Sequence, residues 1–129
     1  MIEQLIKKLS KDLEVPEAGL ATEVPGCYSI PIAEGIAVAL SPVVGGIQMK
    51  CSVAPFPASG GESFATDAML ANLFGQGTQG AILGLSLDGK TVMLSRVVDD
   101  GIGYKEFREI FDDFIVAIDY WRDEALTHR

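Results

Sequence analysis

The sequence predicts an α+β domain in the order α-β-β-β-α-β-β-α, a twisted antiparallel sheet flanked by helices. Three observations predict it. Apolar residues recur at helical spacing over residues 2–13 and 104–125. Three stretches between Tyr28 and Val53 alternate apolar with polar or small residues. Asp88-Gly89 divides two further apolar runs, 81–87 and 91–98, which is the signature of a hairpin.

The first helix takes Ile2, Leu5, Ile6, Leu9 and Leu13 on one face and Lys7, Lys8, Lys11 and Asp12 on the other. Val15-Pro16 ends it, because the residue before a proline is pushed out of the helical region. Residues 16–26, with two prolines and two glycines, read as a connector. Strands follow at Tyr28–Ile32, Ile36–Leu40 and Ile47–Val53, and their short connections make them an antiparallel meander. Pro31 places the first of them at a sheet edge or at its own end.

Ser59 and Glu62 have capping-box spacing, so a helix is expected over about 61–74. It is apolar on more than one side, which predicts burial on more than one side. A two-residue Asp88-Gly89 turn then joins the last two strands. The closing helix carries Tyr104, Phe107, Phe111, Phe114, Ile118, Trp121 and Ala125 at steps of three and four. All 129 residues are accounted for by one domain.

Composition narrows the function. With 18 acidic and 10 basic residues the net charge is −8, and the scattered Lys and Arg do not form the basic patch that nucleic acid requires. Mean hydropathy is +0.27, high for a small domain, which points to apolar surface covered by a partner or a second copy. Cys27 and Cys51 read as reduced thiols in strands. The N-terminus has no continuous apolar core of a signal peptide, and no segment reaches membrane-spanning length. A cytoplasmic protein without membrane insertion is expected.

Residues 75–80, GQGTQG, match the glycine spacing of a dinucleotide site. That site needs strand, glycines, helix, so that a helix N-terminus meets the phosphates. Here the order is helix, glycines, strand. The expected role is therefore conformational, with Gly75 past a helix end and Gly77 and Gly80 releasing the chain into a strand. The acidic run Glu106, Glu109, Asp112, Asp113, Asp119, Asp123 and Glu124 reads as a solvated helix face, and Arg96 as an exposed strand arginine. One histidine, His128, at the terminus builds no catalytic constellation. No enzymatic activity, metal or cofactor is expected.

The stretch ANLFGQGTQGAILGLSLDGKTVMLSRVV and the ending YKEFREIFDDFIVAIDYWRDE resemble the class I chaperones of bacterial type III secretion, the CesT-like family. The resemblance spans nearly the whole chain and is most specific over 71–122. It implies a homodimer, or a heterodimer with a related chaperone, without catalysis or ATP. It also implies that the chain holds the N-terminal chaperone-binding segment of a secreted effector and presents it to the export apparatus. On that reading Phe64, Met69, Leu70, Leu73 and Phe74, with Ala81, Leu83 and Leu85, make the dimer interface. The effector docks on Ile2, Leu5, Ile6, Leu9, Tyr28, Ile30 and Ile32. The rival reading is a small ligand-sensing or regulatory domain on the same scaffold, because fold does not fix function. A metal enzyme built on Asp112, Asp113 and Asp119 ranks behind both.

Overall fold

The computed structural model describes residues 2–57, 59–74, 81–99 and 101–127, with the side chains of Leu73, Phe74 and Thr127 excepted. The elements are α1 (Ile2–Leu13), α2 (Glu17–Leu20), β1 (Tyr28–Ala33), β2 (Ile36–Val43), β3 (Gly46–Pro55), α3 (Gly61–Phe74), β4 (Ile82–Leu85), β5 (Thr91–Asp99) and α4 (Tyr104–Thr127). They form the expected α+β architecture, with one addition, α2.

α2 occupies part of the expected connector. It is a single turn, and only Leu20 anchors it, with no measurable exposure. One apolar residue has no periodicity to reveal it.

The five strands form one antiparallel sheet in the order β1-β2-β3-β5-β4. The chain leaves the meander after β3, runs through α3 to the far edge, and returns by the hairpin so that β5 lies between β3 and β4. Gly46 permits that central pairing: a Cβ there would meet the Val98 carbonyl oxygen at 2.5 Å. The hairpin loop is longer than the two residues expected. Ser86 N–H donates to the Thr91 carbonyl at 2.9 Å, leaving four residues outside the ladder. Asp88 braces the loop by accepting from Ser86 Oγ at 2.6 Å and from Lys90 N–H at 3.0 Å, while Gly89 takes φ +71°.

The core lies between one face of this sheet and the helices. Val38, Leu40, Ile47, Met49 and Leu94 of the sheet meet Phe107, Phe111, Phe114, Ile118 and Trp121 of α4, and α1 completes the layer. The opposite face, including Ala37, Ala39, Lys50, Ser52, Ile82, Gly84 and Val97, is exposed. α1 ends at Leu13 in a Schellman-type turn. Val15 N–H donates to the Ser10 carbonyl at 3.1 Å, and Glu14 occupies the left-handed position at φ 56°. Ser10 is buried because its hydroxyl donates to the Val15 carbonyl within the same turn.

Candidate protein-binding surfaces

The expected effector-docking residues divide sharply. Ile2, Leu5, Ile6, Leu9 and Ile30 are between 0 and 6% exposed, members of the chain's own core. Periodicity reveals an apolar stripe but not what it faces, and here α1 packs against α2 and α4 within the shared core. In this conformation of the single chain those five side chains are core rather than exposed anchors. Tyr28 and Ile32 are half-buried and reach the surface.

The β1 edge is narrower than a free strand. Thr22 N–H donates to the Cys27 carbonyl at 3.2 Å, and Ala21 bridges Tyr28. The Cys27 carbonyl thus faces away from β2, and ladder alternation turns Ser29 and Pro31 the same way. Pro31 brings no N–H to that edge. With no donor at Pro31 and the Cys27–Tyr28 end already met by Ala21 and Thr22, strand addition along the whole of β1 is disfavoured.

The expected dimer residues also separate. Phe64, Ala81 and Leu83 are buried at 2, 4 and 6% exposure. Phe64 packs edge-on to Phe56 at 6.1 Å and to Trp121 at 5.9 Å, fixing the start of α3 to the end of α4. Trp121 is a core residue at 2% exposure. Met69, Leu70 and Leu85 are 71, 51 and 52% exposed. Leu73 and Phe74 have side chains outside the described set, and GQGTQG and His128 lie outside the described residues. Ile82, 62% exposed beside these positions, was not among the expected set. Strand alternation could have found it, since it stands on the face opposite Leu83.

Between α3 and β4 lies an apolar cleft of about 160 Å³, lined by Phe56, Phe64, Ala68, Met69, Leu85 and Val92. At its rim the Asn72 side-chain amide pairs twice with the Leu83 backbone. Nδ2 donates to the Leu83 carbonyl at 2.9 Å, and Leu83 N–H donates to Oδ1 at 2.8 Å.

The titratable groups are arranged structurally. Burial pushes the Cys51 thiol up to about 11, partly offset by the Arg122 charge. Cys27 is half-buried, and both thiols are free. Glu106, Glu109, Asp112, Asp113, Asp119 and Asp123 are exposed as expected, whereas Glu124 and Arg96 are half-buried rather than exposed. Among the described residues no group of His, Cys, Asp and Glu could hold a metal ion, and no helix is long and apolar enough to cross a membrane.

Comparison with known proteins completes this picture. A Chlamydia pneumoniae protein, CPj0713/CpB0740, is 29% identical over 123 residues, covering 94% of this chain and 93% of that one. The fold is similar to a chain of the ExsC–ExsE complex (TM-score 0.78, 13% identity, 96% of this chain and 92% of that one). It is similar also to a chain of the HopA1–SchA chaperone–effector complex (0.71, 15%, 94% and 92%). YbjN from E. coli, described as a putative transcription regulator, shares it as well (0.67, 16%, 99% and 95%). The model of the Tir chaperone protein (CesT) family matches residues 4–122, all but the chain's outermost residues, and the chain belongs to that family.

Proposed function

We propose that this chain is a bacterial cytoplasmic chaperone for a type III secreted effector. It holds the N-terminal chaperone-binding segment of that effector in a secretion-competent form and helps bring it to the export apparatus. The observation that carries this reading is the family match over residues 4–122. A solved relative of the fold that is itself part of a chaperone–effector complex supports it.

The working unit is a homodimer or a heterodimer with a related chaperone. Its interface is centred on Met69 and Leu85, which line the α3–β4 cleft, with Leu70 of α3 and, on the other face of β4, Ile82; all four remain exposed in one chain. The effector meets the protein near Tyr28 and Ile32, the expected docking residues that reach the surface. Acidic residues along α4 keep a dimer rich in apolar surface soluble.

The test is capture from the native host followed by limited proteolysis. A larger secreted protein should co-purify, with its N-terminal segment protected. Tyr28→Ala with Ile32→Asp should weaken that capture while leaving the fold intact, whereas changes at Leu5 or Ile30 would act on the core. A preparation that retains a small molecule and no protein would support the regulatory reading, which the fold shared with YbjN favours. Sedimentation of the wild type as a monomer at micromolar concentration would end the dimer proposal. If it dimerises, Met69→Asp with Leu85→Asp should yield a folded monomer.

A further inference from the structure

A sheet of five strands has two edges, and each edge invites another strand. At β4 the direction of the backbone follows from the hairpin. Ser86 pairs with Thr91, so Gly84 and Ile82 direct their hydrogen bonds inward to β5, while Leu83 and Leu85 direct theirs outward. The outward N–H and C=O of Leu83 are both taken by the Asn72 amide, at 2.8 and 2.9 Å. An Asn side chain presents one acceptor and one donor side by side, the same pair that a neighbouring strand residue would present. Asn72 sits in the last turn of α3, so the helix beside β4 supplies the substitute for a sixth strand.

We infer that Asn72 is an edge-closing residue: it occupies the strand-pairing site at Leu83 and stops a second copy of this chain from extending the sheet through β4. The forbidden assembly is a symmetric antiparallel β4–β4 pairing. Ile82 and Leu85, both more than half exposed, would otherwise favour it by giving the edge an apolar character. The inference goes beyond the proposed function and does not depend on it, because the reference is the wild-type protein in whatever assembly it adopts.

The experiment compares the wild type, Asn72→Ala, and Asn72→Ala combined with Gly84→Lys. A Cβ at Gly84 meets nothing within 4 Å, and a symmetric β4–β4 pairing would bring the two added lysines close together, where they repel. In samples too dilute to assemble, hydrogen exchange at the Leu83 amide should accelerate on the order of tenfold in Asn72→Ala, as expected for loss of one hydrogen bond. Sedimentation velocity across a concentration series should show that variant forming a higher assembly than the wild type, and the added lysine should abolish it. Unchanged Leu83 exchange in the dilute samples would overturn the inference. So would faster exchange without new assembly, or new assembly that persists with the lysine.

Discussion

The Tyr104 hydroxyl in the first turn of α4 donates a hydrogen bond to the Asp12 carboxylate in the last turns of α1. Arg108, one turn further along α4, lies 3.7 Å from the same carboxylate and 3.0 Å from Asp112. Lys8 stands 5.9 Å from the centre of the Tyr104 ring. This polar cluster joins the two helices outside the apolar contacts that bury α1. It is largely exposed, so Asp12→Ala should cost no more than about 1 kcal/mol, and less at high salt. Its clearer signature is spectroscopic. Burial first and the Asp12 hydrogen bond second raise the Tyr104 phenol above its usual range. In Asp12→Ala the Tyr104 transition in an ultraviolet pH titration should move down toward the ordinary tyrosine value.

Two residues of α3 that the sequence places in one interface should behave as opposites. Phe64→Ala should lose about 3–5 kcal/mol in urea denaturation, because it empties the contact with Phe56 and Trp121. Met69→Ala, at 71% exposure, should stay within about 0.5 kcal/mol in a chain kept monomeric. Equal losses at the two sites would contradict the burial described for α3.

Cys51 should distinguish the two thiols and impose an alkaline limit. At pH 8 a thiol reagent should label half-buried Cys27 in the folded protein and spare Cys51. Burial raises the Cys51 thiol from 9.0 to about 11. Below pH 9 it is protonated in both folded and unfolded chains and adds no pH dependence. Between about 9 and 11 the unfolded chain ionises there and the folded one does not, so stability falls as pH rises. Denaturation of the wild type alongside Cys51→Val should show the wild type losing more stability across that window.

Glu14 holds a left-handed conformation, at φ 56°, that glycine adopts without strain. Glu14→Gly should therefore stabilise the chain by about 1 kcal/mol, read as a rise in the urea midpoint at constant slope. A loss would mean that the Glu14 side chain contributes more than its backbone costs.

Much of the fold was legible because its signals are local. The expected spans of α1 and α3 coincide with those observed, and the strand pattern from Tyr28 to Val53 led correctly to the meander. α2 escaped because Leu20 alone marks it. The hairpin loop was expected too short because Asp-Gly marks a turn, whereas the bond from Ser86 to Thr91 sets how many residues lie outside it. Surface assignment was less legible. Leu9 and Leu70 are the same residue type on helices, yet one is fully buried and the other half exposed. Only the tertiary arrangement decides between them. Asn72 carried no signal at all, since its pairing depends on β4 arriving beside α3.

The position of β5 between β3 and β4 has a consequence for synthesis. While the chain is being made, the meander of β1, β2 and β3 is completed long before its central neighbour exists. From Gly46 to Pro55 that nascent sheet presents the edge later taken by β5, with Ile47, Met49, Cys51 and Val53 not yet covered by α4. The sheet closes only after a long loop containing α3 has been brought back, a slow kind of contact to form. A chain cut after Pro55 should therefore aggregate rather than fold, and during its own birth this protein passes through a stage in which it is itself vulnerable to misassembly.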